Sequence, residues 1–369
     1  MFLHAAYGAS ARLRRGSATL LVLAALSTGG VSAQEGAEDS AMLAAETQPL
    51  AAQSLLLDVT AVGDRFVAVG ERGHVLLSED LETWRQASSV PTRSTLTALT
   101  AIGDLVWAVG HDSVILHSSD GGDTWTRQYA DPAQSGEDDP NPLFDVHFLD
   151  ADRGLAAGSY GRLLVTGDGG RNWEEQLIGD LLSEEELDAD ADAGDDTSAA
   201  DDYESQFGEE EQYYDYHLNG IAELQDGTLF LAGEAGTSYL SRDGGESWIF
   251  IAMPYEGSMF GVMATRDGRF VAYGLRGNVL ESTDGGANWI EVSTDSLSSI
   301  MGGTVTDDGT EILVGANGAV LLRRPGGTTF VTYAFPGGED LGNVTPVSGA
   351  NLLVVGEGGI FRYTPGAGS

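Results

Sequence analysis

Three alternating aspartates have the type and spacing of metal ligands. Asp188, Asp190 and Asp192 alternate as the first ligands of an EF-hand calcium loop do. The sixth position of such a loop would be Ala193 instead of glycine, and the twelfth would be Ala199 instead of glutamate. The spacing therefore predicts weak Ca²⁺ binding at most, with no resident metal and no other cofactor.

The histidines also lack the spacing of a catalytic metal site. No His-x-His or His-Glu-x-x-His pattern occurs, and the absence of cysteine excludes thiolate chemistry and disulfides. We therefore expect ordinary turn or core roles for these side chains. The five histidines outside the N-terminal segment are His74, His111, His117, His147 and His217.

Three arginines could bind a substrate carboxylate if they converged. Arg72, Arg162 and Arg276 each lie within or beside a Gly-x-x-Gly pattern. A sialidase needs such a triad, together with a Tyr and Glu nucleophile pair and an Asp that acts as the catalytic acid. Sialidases also carry an Arg-Ile-Pro motif, which this sequence lacks. Hairpin-tip arginines that are exposed or paired with Asp and Glu need no special geometry. We therefore predict no catalytic residues, with a carbohydrate-active enzyme or glycan-binding protein related to sialidases or xyloglucan hydrolases as the alternative.

These residues belong to a sequence that repeats seven times. Each repeat has an apolar run that ends in glycine, and successive terminal glycines are 40, 48, 75, 41, 41 and 41 residues apart. A second glycine follows three positions later in six of the seven, where both glycines are expected to supply the positive φ of a tight hairpin. The terminal glycines are Gly70, Gly110, Gly158, Gly233, Gly274, Gly315 and Gly356.

A second pattern, Ser/Thr-x-Asp-Gly-Gly-x-x-Trp, follows the next predicted strand and resembles the Asp-box, or bacterial neuraminidase, repeat. The Asp can accept hydrogen bonds from its own turn, and the Trp is expected to pack against the next sheet. The pattern therefore indicates structure and says little about activity. The predicted pairs are Asp80 with Trp84 in a copy one residue shorter, Asp120 with Trp125, Asp168 with Trp173, Asp243 with Trp248, and Asp284 with Trp289; a decayed copy ends at Phe330.

Each repeat of about 40 residues predicts four short strands, the pattern of one β-propeller blade. In the fifth repeat these strands are predicted at 259–264, 269–273, 279–282 and 289–292. The fold class is therefore all-β, a seven-bladed propeller of four-stranded antiparallel blades over 41–363. The last repeat stops near Tyr363 without a fourth strand, so residues 41–48 are predicted to supply it and to cover the open edge.

The N-terminal segment 1–33 reads as a signal peptide. Arg12, Arg14 and Arg15 precede a short apolar run, and Val31-Ser32-Ala33 suits signal peptidase. The run is about half the roughly 20 residues that cross a bilayer. We therefore expect a periplasmic protein that is soluble after cleavage.

Charge narrows the classes of partner. The chain has 57 acidic and 18 basic residues, a formal charge of −39, and every basic residue is Arg. Proteins that bind phosphate backbones or anionic lipid normally present basic patches. We therefore expect a protein partner and no nucleic acid.

Two repeat spacings are long because of insertions before the next innermost strand. The first spans 129–142, and the second, 177–216, is so acidic that we expect partial disorder at its centre. In a four-stranded blade these connections open on the face of the Gly-x-x-Gly hairpins, opposite the Asp-containing turns. The candidate partner-binding face therefore carries Arg72, Tyr160, Arg162 and Arg276.

The joint string from Val271 to Trp289 resembles the photosystem II assembly and stability factor family and its non-photosynthetic bacterial relatives. The resemblance covers about 44–363. It implies a seven-bladed, exported scaffold that binds membrane-protein subunits during assembly. Photosynthetic members carry an arginine patch toward their client, whereas this chain offers only three candidate arginines beside an acidic insertion. We therefore expect a monomer whose client is a membrane-complex or transporter component other than a photosystem.

Overall fold

The computed structural model describes residues 39–131, 141–176, 178 and 216–366. The predicted signal peptide and the Ca²⁺-ligand pattern lie outside the described residues. So do most of the 129–142 connection and nearly all of the acidic insertion, 177–216.

The described chain forms seven antiparallel sheets, six with four strands and one with three, each a simple meander in chain order. The innermost strand of every blade contacts the innermost strand of the next, and the seventh contacts the first, so the sheets close into a ring. The strands are β1 (Leu56–Val62), β2 (Arg65–Gly70), β3 (Val75–Ser78), β4 (Arg85–Gln86), β5 (Leu96–Ile102), β6 (Leu105–Gly110), β7 (Ile115–Ser118), β8 (Thr126–Tyr129), β9 (Leu143–Phe148), β10 (Gly154–Gly158), β11 (Leu163–Thr166), β12 (Glu174–Glu175), β13 (Leu218–Glu223), β14 (Leu229–Gly233), β15 (Ser238–Ser241), β16 (Ile249–Phe250), β17 (Met259–Ala264), β18 (Phe270–Gly274), β19 (Val279–Ser282), β20 (Ile290–Glu291), β21 (Ile300–Val305), β22 (Glu311–Gly315), β23 (Ala319–Arg323), β24 (Val331–Ala334), β25 (Leu341–Ser348), β26 (Asn351–Gly356) and β27 (Gly359–Tyr363).

The seven-bladed propeller predicted from the repeats is confirmed. Its apolar core is divided into seven clusters, and each cluster lies between two successive blades. Strands β2, β6 and their equivalents are buried on both faces because each blade packs between two others. This explains why the repeats read as continuous apolar runs.

The predicted closure of the last blade by the N-terminal segment is wrong. Among the described residues, β25, β26 and β27 form a three-stranded sheet, and 41–48 forms no strand. Ala45 N donates to Val90 O (2.9 Å) and Arg93 N donates to Ser40 O (2.8 Å), so this segment lies along blade 1. Ala41 and Ala45 add to the cluster between blades 1 and 2, which stabilises them there. The following turn, Ala51–Gln53, contacts β27.

The terminal glycines are required by close backbone contact rather than by positive φ. Gly274 has φ −174, an extended value. A Cβ there would lie 2.3 Å from Ser258 O and 2.6 Å from Met259 Cα. The same clash, with a carbonyl oxygen 2.0–2.4 Å away, recurs at all seven terminal glycines. The expected positive φ belongs to the second glycine, such as Gly277 at +75°.

Replacing Gly274 with alanine is expected to lower the free energy of unfolding by about 3 kcal/mol, because the Cβ meets backbone that cannot move without opening the strand pair. Gly167→Ala is the matched control, since a Cβ at Gly167 would have no heavy atom within 4 Å and the φ of Gly167 is not positive. Guanidinium unfolding of both variants measures the difference. Equal losses for the two would contradict the close-contact explanation.

Candidate binding face

The β2–β3 hairpin and its six equivalents end in tight turns, called here the tip turns. Connections between blades lie beside them: Asp131 N donates to Asp112 O (3.0 Å) and Gly161 N donates to Tyr216 O (2.8 Å). Asp131 and Tyr216 each border an undescribed insertion. The tip turns are Glu71–Gly73, His111–Ser113, Ser159–Gly161, 234–236, Leu275–Gly277, Ala316–Gly318 and 357–359, and together they form the tip face.

The Asp-containing turns lie at the other ends of the strands, beside the innermost hairpins. Gly121 N donates to Asp104 O (3.0 Å) and Gly169 N donates to Asp152 O (2.7 Å). We call this side the Asp-turn face. The chain therefore separates its Asp-containing turns from the tip turns by the full length of a blade.

Each Asp carboxylate of these turns accepts hydrogen bonds from its own turn. Asp284 accepts hydrogen bonds from Asn288 Nδ2 (2.7 Å), Asn288 N (2.9 Å) and Ser282 Oγ (2.9 Å). The side chain and backbone of Asn288, followed by Ser282, lower the pKa of Asp284 to about 2. The equivalent carboxylates, each accepting from its own turn, are Asp80, Asp120, Asp168 and Asp243.

The Trp of each turn packs against the preceding blade, not the next one. Trp125 of blade 2 is 4% exposed, lies with Val62 and Val67 of blade 1, and donates from Nε1 to Gly122 O (2.7 Å). The equivalent side chains Trp84, Trp173, Trp248 and Trp289 lie in the corresponding clusters between blades. These Trp residues therefore join neighbouring blades.

Arg72, Tyr160 and Arg276 occupy the same position in the tip turns of blades 1, 3 and 5. Their φ values are 56°, 55° and 58°, and all three are exposed. This left-handed backbone directs each side chain away from the hairpin. The Tyr160 side chain is 45% exposed and meets the His217 ring edge-on at 5.2 Å.

Arg162 is set apart from the other three because its side chain is 8% exposed. It donates to Ser113 Oγ (2.9 Å), Tyr129 Oη (3.1 Å) and Asp131 Oδ2 (2.9 Å) of blade 2. The expectation that Arg162 shares the exposed rim is therefore wrong. Arg162 is instead a paired arginine, as the other interpretation of the hairpin-tip arginines allowed. Its hydrogen bonds connect blade 3 to blade 2.

Sequence reasoning missed two carboxylates on the innermost strands. Asp58 is 7% exposed and accepts from Val59 N (2.7 Å), Leu99 N (2.7 Å) and Asn343 Nδ2 (2.5 Å). Asp145 accepts from Val146 N and Ile221 N, both at 2.8 Å. Each carboxylate therefore joins its own blade to a neighbour. The available signal was an Asp two residues after a buried Leu in two repeats.

Burial raises the pKa of Asp58 to about 7, and the negative charge of nearby Asp145 also raises it. Hydrogen bonds donated by backbone N–H groups lower this pKa by less than burial and Asp145 raise it. Burial likewise raises the pKa of Asp145 to about 6. An unfolded Asp titrates near 3.9. Between about pH 4 and 7 the folded protein therefore holds a proton that the unfolded chain has released, and stability falls as pH rises.

Replacing Asp58 with Asn is expected to remove its share of this pH dependence. The free energy of unfolding of the original protein minus that of Asp58→Asn should decrease by about 1.4 kcal/mol per pH unit across the window. Guanidinium unfolding at several pH values measures it. Asp284→Asn is the control, because a lowered pKa puts its effect below this window. Parallel curves for the original protein and Asp58→Asn would contradict the assignment.

The histidines have local partners or buried positions. His147 Nε2 lies 2.9 Å from Glu223 Oε2, and burial lowers the pKa of His74, His111 and His117. Within the described ranges, no group of three or more His, Cys, Asp and Glu side chains is arranged to hold a metal ion. In the same residues, no helix is long and apolar enough to cross a membrane.

Comparison with known proteins identifies the fold but no sequence family. No family model matches the chain, and no curated protein matches it. Among solved structures, the chain is similar to "YCF48 bound to D1 peptide", with a TM-score of 0.61 and 18% identity over 87% of this chain and 96% of that chain. It is also similar to YCF48 from Cyanidioschyzon merolae, with a TM-score of 0.60 and 17% identity over 86% of this chain and 98% of that one.

A third similar structure is the WD40 β-propeller domain of Doa1. The TM-score is 0.58 and the identity 12%, over 88% of this chain and 95% of that chain. At these identities the similarity concerns the fold alone. The three solved structures therefore support the propeller fold of this chain.

Proposed function

We propose that this chain is an exported scaffold whose tip face binds a protein partner. The observation that carries the proposal is the contrast between the two faces. The Asp carboxylates of one face are held by their own turns, whereas Arg72, Tyr160 and Arg276 are exposed on the other. Side chains held on a rigid ring and directed outward suit recognition, because little ordering is needed on binding.

The structural neighbours support a protein partner. YCF48 is named as bound to a D1 peptide, and that propeller has the same fold as this chain. With the N-terminal signal pattern of 1–33, this favours a periplasmic protein that aids the assembly, stability or regulation of a membrane-associated complex. The formal net charge of −39 favours a client other than a photosystem.

The alternative of a carbohydrate-active enzyme would need a pair of available carboxylates. The candidate pair on the innermost strands is Asp58, which is buried, and Asp145, which is partly buried. Their oxygens accept from backbone N–H groups of neighbouring blades, which suits blade joining better than proton transfer. Turnover of a panel of glycosides by the purified chain, with no partner protein recovered, would favour the enzyme.

Replacing Arg72, Tyr160 and Arg276 together with Ser is expected to reduce partner capture at least about tenfold, because the triple variant removes the exposed guanidinium donors and the aromatic contact surface of the tip face. The measurement uses the immobilised full chain and the periplasmic and membrane fractions of the source cells, with captured proteins quantified by mass spectrometry.

The matched control carries Arg171→Ser, Ile290→Ser and Arg324→Ser, three exposed residues away from the tip face. It should capture the same proteins as the original chain. Equal loss in both variants, or full capture by the tip-face variant, would contradict binding through this face. Thermal unfolding of both variants checks that each remains folded.

A further inference from the structure

Every innermost strand contains a β-bulge at the same place. The register of β1 with β2 skips from Leu56 to Asp58, and the same one-residue skip recurs in the other six blades. A bulged residue is left out of the ladder, and its side chain is redirected. The skipped residues, called here the bulge ring, are Leu57, Thr97, Phe144, Asn219, Phe260, Met301 and Gly342.

The bulge ring lies just inside the circle of tip turns. In blade 1, Glu71 N at the tip donates to Leu55 O (3.0 Å), two residues before Leu57. In blade 5, Leu275 N donates to Ser258 O (3.0 Å), two residues before Phe260. The same bond is made in all seven blades. The bulge ring therefore lies at the tip-face ends of the seven innermost strands, around the middle of the propeller.

Three side chains of the bulge ring contact the following blade. Thr97 Oγ1 donates to Leu143 O (2.7 Å) and Asn219 Nδ2 donates to Met259 O (2.8 Å), each in the following blade. The Phe144 ring lies 5.4 Å from the His217 ring of blade 4. The two polar members therefore donate to backbone carbonyl groups of the following blade.

The apolar members are Leu57, Phe144, Phe260 and Met301, and all four remain partly exposed. His217 links Phe144 to Tyr160, so the aromatic surface continues outward to the tip face. Partly exposed aromatic side chains that continue from the bulge ring to the tip face, with polar residues around them, suit a site for another molecule.

The surrounding charge indicates what kind of molecule fits. The seven tip turns, all within the described residues, carry the carboxylates of Glu71, Asp112, Glu234 and Glu357 against the guanidinium groups of Arg72 and Arg276. The whole chain has a formal net charge of −39. A partner segment with basic residues beside its apolar anchor would therefore be complementary in charge.

We infer that the bulge ring receives an apolar side chain of an extended partner segment whose flanking residues are Lys or Arg. This inference rests on the proposed function and names the partner's chemistry. Phe144 and Phe260 contact the apolar anchor, while the tip carboxylates attract its basic flanks. Arg72 and Arg276 donate to backbone carbonyl groups of the segment.

The test is selection of random linear peptides, displayed on phage, against the full chain, with counter-selection against Phe144→Ser/Phe260→Ser. We expect enrichment of peptides with an aromatic or aliphatic residue flanked by Lys or Arg. A synthetic copy of the enriched peptide should bind the original chain at least about tenfold more tightly than it binds the double Ser variant, at physiological salt. A Phe144→Leu/Phe260→Leu variant should retain binding within about threefold, because an apolar surface is preserved.

The control Ile249→Ser/Ile290→Ser removes two exposed apolar side chains of the outer strands and should bind like the original. Enrichment of acidic or purely polar peptides, no enrichment, or equal affinity for the Phe144→Ser/Phe260→Ser variant would overturn the inference. A cellular partner captured equally by that variant and by the original would overturn it while leaving the proposed function standing. Recovery of no partner and no peptide would overturn both.

Discussion

Replacing Trp107 with alanine is expected to lower the free energy of unfolding by about 4 kcal/mol. Trp107 lies on β6 and is 1% exposed. Its ring stacks on Phe148 of blade 3, with centroids 3.6 Å apart and planes at 13°, and Nε1 approaches Gly169 O at 3.4 Å. The alanine variant loses this buried surface and leaves a cavity between two blades that each have other neighbours and cannot collapse into it.

Guanidinium unfolding followed by fluorescence and circular dichroism measures the loss. Trp107→Phe keeps most of the buried area and should lose less than half as much. Ile290→Ser, at a side chain that is 63% exposed, should change stability by less than about 0.5 kcal/mol. A loss below about 1 kcal/mol for Trp107→Ala would show that packing between blades 2 and 3 contributes little to the stability of the ring.

Replacing Glu311 with alanine should have an effect of similar size, about 4 kcal/mol, for an electrostatic reason. Glu311 is buried between blades 5 and 6, where Oε1 accepts from Arg269 Nη2 (2.7 Å) and Oε2 accepts from Arg323 Nε (2.8 Å). Both guanidinium groups also pair with Glu281. Removing Glu311 leaves Arg323, which is buried, and Arg269, which is partly buried and also pairs with Asp267, sharing the Glu281 carboxylate.

A double variant separates this charge imbalance from lost packing. Glu311→Met/Arg323→Met removes one charge of each sign and leaves Arg269 paired with Glu281, so most of the stability should return. Unfolding curves of the single and double variants measure the recovery. Equal losses in the two would contradict the electrostatic explanation.

This charge cluster lies where the repeat pattern has decayed. The turn from Arg323 to Phe330 lacks the Asp of the other copies, yet Phe330 is 4% exposed and Arg323 lies over its ring at 4.8 Å. Blade 6 therefore keeps the aromatic contact of the pattern and adds ion pairs to the preceding blade. The same blade interface thus forms with a different set of interactions.

The repeats predicted the number of blades, the strands of each blade except the fourth strand of blade 7, and the separation of the two faces, because glycine and Asp turns are local signals. Blade 5 illustrates this: strands predicted at 259–264 and 279–282 match β17 and β19. These features depend on backbone conformation within a few residues. The sequence carries them without reference to the rest of the ring.

Features that depend on contacts between distant residues could not be predicted in the same way. Arg162 follows a tip turn as an exposed arginine could, and its burial depends on Ser113 and Asp131 of another blade. Ala41 and Ala45 have no pattern that distinguishes a fourth strand in blade 7 from a segment along blade 1. The bulge ring likewise became visible only from strand register.

The central claim, binding of a protein through the tip face, is tested most directly by site-specific photo-crosslinking in source-cell fractions. Benzoylphenylalanine replaces Tyr160 on the tip face in one protein and Ile290, on an outer strand, in another. We predict a covalent adduct with a partner protein from position 160 and none from position 290. Adducts from position 290 alone, or from neither position alongside glycoside turnover by the same preparation, would contradict the account.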